Sequence, residues 1–523
     1  MSELDPIRLE IFRSLFTSVA EEMGATLMRS ASSPNIKERR DYSCAIFNED
    51  GALVAQGEHM PVHLGSMPLS VQHALNEISF YPGDIVVLND PFHGGTHLPD
   101  ITMIAPVFFP EKDTPIFFVA NRAHHADVGG ISAGSMPLAT EIYQEGQIIP
   151  PVKWVGRGEP NTDLQKLFLR NVRTPGERFE DLAAQEASLN VGLRRLHELV
   201  DRHGAETIHN FMRQVLEYSE QLMQQELQAI QDGSYTAADY LDDDGITEEP
   251  IRIECTITIK AGKARVDFTG SELQVRGSLN AVHAITYSAT VYCFRCMALS
   301  AIPVNDGCFR PLEIITPPGS VVNAERPAAV AGGNVETAQR IVDVVLRALS
   351  QAVPNRIPAA SQGTMNNLAV GGITEHGDPF SYYETIAGGM GGRPTKDGID
   401  GIHTHMTNTM NTPIETLEIA YPLRIEEYRL RGNSGGSGKF RGGDGIVRKI
   451  RVLADCSLTF LGERRIFAPY GLQGGHAGLQ GMNLLERDGR LKKLPGKFIR
   501  QLNPGDALIV ETPGGGGFGG DDG

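Results

Sequence analysis

Cysteine is scarce, with six residues in a chain of 523, most of them far apart. That spacing excludes a disulfide scaffold and reads as reduced thiols. The one CxxC, Cys293 to Cys296, lies among helix-forming residues, with no second pair or nearby histidine to complete a zinc set. Both thiols are expected in the core. There is no basic block, and the net charge is −17, which argues against nucleic acid and anionic membrane as partners. No apolar run approaches the ~20 residues that span a bilayer. The stretch MSELDPIRLEIF carries acids and then an amphipathic pattern, unlike a signal peptide, so a cytoplasmic location is expected. A Walker loop is missing too: in RGNSGGSGKFRGGDG, Phe440 follows Lys439 and Asn433 stands where the first glycine is required. No serine or cysteine nucleophile elbow is evident.

Glycine is abundant instead, at 58 residues in short irregular clusters, which points to tight loops around a site or an interface. The spacing of Ile11, Leu15, Phe16, Val19 and Met23 predicts an amphipathic helix over 7–30. DYSCAIFNEDGALVAQ reads as a hairpin turning at Asn48–Gly51, and DIVVL and PIFFVA as buried strands. A helical stretch runs from 176 to about 231, ended by Gly233; helices return at 283–300 and at 335–352, the latter capped by Asn334. From about 358 the chain is glycine-rich and strand-prone. The expected fold class is mixed α/β (α+β) and multidomain. Its parts are a metal-binding α/β domain at 1–175, a helical segment at 176–240, a central α/β domain at 241–357 and a glycine-rich, β-rich domain at 358–523.

The sharpest chemistry lies in NDPFHGGTHLPD and NRAHHADVGG, which follow the two apolar runs. His97-x-x-Asp100 and His124-His125-x-Asp127 bring imidazole and carboxylate together, a set that suits zinc or another first-row divalent ion. If the two strands are neighbours in one sheet, their ends and the following loops converge and give the ligands rigid supports. Asp41, at the start of the hairpin, supplies a third source. Asp41, His97, Asp100 and one of His124 or His125 would then make a two-histidine, two-carboxylate set. The competing reading is ordinary turn chemistry, with each residue bonded to nearby backbone. In GGMGGRPTKDGIDGIHTHMTNTMNTPIETLE, His403, His405, Asn408, Asn411 and Glu415 are candidates to line a polar cavity.

Taken together, ERRDYSCAIFNEDGALVAQGEHMPVHLGSMP, NDPFHGGTHLPDI, NRAHHADVGGISAGSMP, FEDLAAQEA, PAAVAGGNVETAQRI, SGGSGKFRGGDGIVR and TPGGGGFG resemble the hydantoinase B / 5-oxoprolinase B / acetone carboxylase alpha-subunit family. The resemblance implies a partner A subunit of the actin/hexokinase-like ATPase class. That subunit would bind ATP and Mg2+ and phosphorylate a substrate carbonyl. It also implies one divalent metal on this chain, zinc in preference to manganese, held by Asp41, His97, Asp100 and His124. His125, Asp127, His59 and His63 become candidates for catalytic roles on the substrate side.

Three functions follow as expectations. The first is the B subunit of an ATP-dependent cyclic amidohydrolase acting on a hydantoin, 5-oxoproline or a related lactam, assembled as A2B2 or larger. The second is the equivalent subunit of an acetone- or acetophenone-type carboxylase. The third is a non-catalytic partner with a structural metal.

Overall fold

The computed structural model describes residues 5–57, 60–109 and 113–520. Asp5 caps the first helix, Pro6–Ser30, by accepting from the backbone N–H groups of Ile7 and Arg8, and Pro6 fits the first turn, where no donor is needed. Its inward face is Leu9, Phe12, Phe16, Val19, Met23 and Leu27. Phe16, Val19 and Met23 lie on the expected stripe and Leu15 packs at its margin, but Ile11 points outward, half exposed, and Phe12 takes its place in the core.

Seven strands follow: β1 (Tyr42–Asn48), β2 (Leu53–Gln56), β3 (Ile85–Leu88), β4 (Asp100–Val107), β5 (Phe117–His124), β6 (Val152–Gly156) and β7 (Glu159–Pro160). They form one antiparallel sheet in the order β2-β1-β5-β4-β3-β6-β7. The β1–β2 hairpin turns where expected, with Asn48 Oδ1 accepting from the N–H groups of Asp50 and Ala52. The two apolar runs are β3 and β5, but they are not neighbours, because β4 lies between them. Every residue of β4 is buried, and a strand buried on both faces shows no polar alternation to betray it.

Antiparallel order has a direct consequence for the site. The start of β1, the end of β5, the start of β4 and the end of β3 all fall on one sheet edge, with Asp100 paired to His124 and Tyr42 to Ala123.

The long helix Pro175–His203 packs against the first helix and across β4 and β5. Gly192 permits that approach, since a Cβ there would lie 2.5 Å from Met23 Sδ. The helical stretch breaks at Gly204 (φ 82°) and resumes at Ala205–Gln228. Gly233 opens the next strand rather than closing the helix. A four-stranded sheet (Gly233–Leu241, Ile251–Lys260, Lys263–Asp267, Leu312–Ile315) carries the helices His283–Met297 and Ala338–Ala352. Asn334 is not a cap; it lies within a π-turn, Gly333–Thr337, that leads into the second of these helices. Cys293 is buried, whereas Cys296 is exposed, contrary to its expected core position.

Two antiparallel sheets of four and five strands make up the C-terminal part, with Leu368, Val370, Leu458, Phe460, Leu508 and Val510 buried in their shared core. The glycine tail is ordered. Gly515, Gly516 and Gly517 donate to the carbonyls of Gly443, Ala360 and His476, and Phe518 exchanges two backbone hydrogen bonds with Phe440. Thus the loop that superficially resembles a phosphate cradle is packed against the chain's own tail. Among the described residues no helix is long and apolar enough to cross a membrane.

Candidate metal centre

His97, Asp100 and His124 offer ligand atoms that all lie within 4.8 Å of one another, and all three side chains are buried. Their position follows from the sheet: Asp100 opens β4, His124 ends β5, and His97 lies on the turn just before β4. His97 Nε2 stands 3.3 Å from Asp100 Oδ2, and His63 Nε2 stands 3.5 Å from the same oxygen. Ser43 Oγ, 3.0 Å from His63 Nδ1, fixes the His63 ring. Thr96 Oγ1 donates to Asp100 Oδ2 at 2.5 Å.

The residues fit a cation on evidence independent of the sequence motif. His63 Nε2, both ring nitrogens of His97, Asp100 Oδ1 and His124 Nε2 are buried without a hydrogen-bond partner. Orphaned polar atoms are costly singly, and one ligand atom each from His97, Asp100 and His124 lies close enough to the others to share a common partner. The electrostatics agree. Burial alone would raise the Asp100 carboxyl, but the rings of His97 and His63 hold it well below the usual carboxylate range. Burial, reinforced by His97, keeps the His124 imidazole well below its ordinary pKa and therefore neutral, the form that ligates.

Asp41 lies at the same edge, its backbone carbonyl accepting from His124 N–H at 3.0 Å. Its carboxylate feels Arg39, Asp100, His63 and His97, and burial raises its pKa. It is not among the three residues whose ligand atoms fall within 4.8 Å. Arg40, just before it, adopts φ 57°, a left-handed conformation that costs a non-glycine residue about 1 kcal/mol or more.

His125 and Asp127 are not brought to the cluster. Neighbouring side chains at a strand end face opposite sides, and His125 Nε2 meets Gln185 Oε1 at 2.9 Å on the long helix. Asp127 is occupied by Arg173, through Nη1 at 2.7 Å and the backbone N–H at 2.8 Å. His59 lies outside the described residues.

Three contributors escaped the sequence reading. Tyr383 stacks on His124 with ring centroids 4.7 Å apart, and its hydroxyl donates to Asn367 Oδ1. Asn35 Nδ2 is 3.1 Å from His124 Nδ1. Arg39, fully buried, donates to Asn35 Oδ1, the Tyr383 carbonyl and Thr385 Oγ1, tying the 35–41 turn to the C-terminal part. Asn35 and Arg39 are near enough in sequence to Asp41 to be flagged by the buried turn they share; Tyr383 carries no signal without the fold.

A buried cluster of two histidines and one aspartate at the edge of an antiparallel sheet is a candidate metal site, and comparison with known proteins gives the chain a family. The chain belongs to the hydantoinase B/oxoprolinase family, whose model matches residues 5–521. A protein of Methanocaldococcus jannaschii without assigned function is 44% identical over 99% of this chain and 91% of its own length. The 5-oxoprolinase 1 of Arabidopsis thaliana is 41% identical over 98% of this chain, which spans only 42% of that protein. The crystal structure of an ATP-dependent caprolactamase from Pseudomonas jessenii superposes with a TM-score of 0.92 at 27% identity, covering 99% of this chain and 92% of that one. Acetone carboxylase, at 20% identity and a TM-score of 0.91 over 98% of this chain and 76% of that one, shares the fold. Membership places the chain among enzymes.

Proposed function

We propose that this chain is the metal-carrying B subunit of an ATP-dependent cyclic amidohydrolase, completing the opening of a lactam or hydantoin whose carbonyl a partner ATPase subunit has phosphorylated. The observation that carries the reading is the convergence of unpartnered ligand atoms from His97, Asp100 and His124, in a family that includes proteins named 5-oxoprolinase. A Pseudomonas relative, 31% identical over 90% of its own length, is named as one component of a D-/L-hydantoinase, which supports a separate A subunit.

His97, Asp100 and His124 would hold the ion, with Asp41 closing the set from the same edge. Zinc is favoured for this donor mixture, with manganese second. When bound, a divalent ion lowers the pKa of water enough to supply a nucleophile near neutral pH. The rest is the protein's own work. Asp100 supplies negative charge that burial leaves unscreened. Thr96 orients Asp100. The substrate-side role is assigned to His63 rather than His125 or Asp127, on the support that its Nε2 is buried without a hydrogen-bond partner and lies beside Asp100. Phosphorylation of the carbonyl belongs to the partner, in keeping with the missing Walker loop.

The test uses the co-expressed A–B complex, ATP, candidate lactams and labelled bicarbonate. Ring opening that needs ATP, leaves no label in acid-stable product and disappears in Asp100→Asn supports the proposal. Label fixed into product would identify a carboxylase instead. Loss of metal in Asp100→Asn with unchanged turnover would reduce the ion to a structural role and end the catalytic claim.

A further inference from the structure

A cavity of about 570 Å³ opens between the helices His283–Met297 and Ala338–Ala352 and the glycine-rich segment 390–405. Its volume lies within the ~300–1,000 Å³ of small-molecule sites. Leu346, Met390 and Ile402 supply apolar wall, and Arg393 stands at the lip. A tight turn presets that arginine. Arg393 N–H donates to Lys396 O, Pro394 stiffens the bend, and the Arg393 side chain donates through Nε and Nη2 to the Asp397 carbonyl. Nη1 keeps its donors, and among the described residues no carboxylate forms an ion pair with this guanidinium. The other arginine of the wall, Arg356, is already paired with Glu226 at 3.1 Å.

The inner wall leads toward the metal centre. His403, whose ring is buried, lines the cavity and feels the charge of Arg39. The Arg39 guanidinium lies 5.0 Å from the Tyr383 ring, which stacks on His124.

We infer that this cavity binds a small organic anion, its apolar body against Leu346, Met390 and Ile402 and its carboxylate on Arg393. An unpaired, pre-positioned guanidinium beside an apolar hollow matches that chemistry, because arginine's fork takes a carboxylate in two-point contact. The choice of a lactam acid as probe rests on the amide-opening reading above; the existence of the site does not.

Cys296 makes the test direct. It stands in the cavity wall and is exposed, while the other five cysteines are buried. Alkylation by iodoacetamide in alkaline buffer, followed by mass spectrometry, reports occupancy without turnover. The probes are 5-oxoproline and 2-pyrrolidinone, which share a ring and differ by the carboxylate. Protection of Cys296 by 5-oxoproline is expected at concentrations about ten-fold or more below those needed for 2-pyrrolidinone, the worth of one charge-assisted contact. Arg393→Met should abolish that difference, and Ile402→Trp, at the partly exposed mouth, should remove protection by both. Asp100→Asn should leave protection intact, so failure of the amidohydrolase proposal and failure of this one are distinguishable. Equal protection by the two rings, an unaltered preference in Arg393→Met, or no protection by either would overturn the inference.

Discussion

Replacing Thr96 by valine tests whether the cluster is a metal site built with supporting contacts. The substitution keeps the branched shape and removes one hydroxyl, whose proton goes to Asp100 Oδ2 at 2.5 Å with both side chains buried. A hydrogen bond to an ionised group is worth about 1.5–3 kcal/mol. Loss of a contact that orients a metal ligand typically costs about 10–100-fold in affinity, which is roughly 1.4–2.7 kcal/mol. The two estimates coincide, so Thr96→Val should bind zinc or manganese some tens of times more weakly than the parent. Competition against a chromophoric chelator reads the affinity directly, and circular dichroism confirms that the variant is folded. A folded Thr96→Val protein with affinity within about two-fold of the parent, far short of that expected cost, would refute the reasoning. Either Asp100 would not be a ligand, or its orientation would not depend on this hydroxyl.

Other consequences can be checked in the same preparation. Arg448 and Glu384 form a two-point ion pair, at 2.9 and 3.0 Å, with both side chains fully buried. Arg448→Met should cost about 3–5 kcal/mol by stranding the carboxylate, seen as a lowered melting temperature; an unchanged melting curve would mean that Glu384 finds another partner. Gly442→Ala would set a Cβ 2.0 Å from the Gly515 carbonyl and should prevent ordered packing of the tail, whereas Gly432→Ala meets nothing within 4 Å and should be neutral. Limited proteolysis distinguishes them, and equal resistance would contradict the packing argument. Glu145 is fully buried, and burial pushes its pKa from 4.5 up to about 8, although two backbone N–H groups donate to Oε1. The folded chain therefore keeps a proton that the unfolded chain releases. This contribution to stability is complete below the unfolded pKa and is lost as pH climbs toward about 8, by at most about 5 kcal/mol. Glu145→Gln should flatten the fall in melting temperature across that window, and identical pH profiles for the two proteins would count against it.

Much of the centre was legible before the fold. His97, Asp100 and His124 stood out because clustered imidazoles and carboxylates follow short buried runs, a pattern that ordinary loops rarely need. The hairpin declared itself through Asn48 and Gly51. What the sequence hid follows from two physical causes. A strand buried on both faces, such as Asp100–Val107, has no alternation to detect, so the true neighbour of β5 was passed over. Direction was the second loss: His124 and His125 look equivalent on paper, yet the two-residue period of a strand sends one to the cluster and the other to Gln185. The same period, applied to the end of PIFFVA, distinguishes them once His124 is known to close the strand. Tyr383 belongs to a segment more than 250 residues from His124, and only tertiary packing brings its ring onto that imidazole.

The glycine seams at the C-terminal end reverse a common expectation about mutability. In an oily core a swapped side chain can be absorbed by its neighbours' rotamers, but where backbone rests on backbone there is nothing to rearrange. Gly514, Gly515 and Gly517 would each drive a methyl to within 2.1 Å of a carbonyl oxygen. Segments that composition alone would mark as spacer are therefore the least forgiving masonry of this protein, and a library that randomises them will lose more folded members than one that randomises the aliphatic interior.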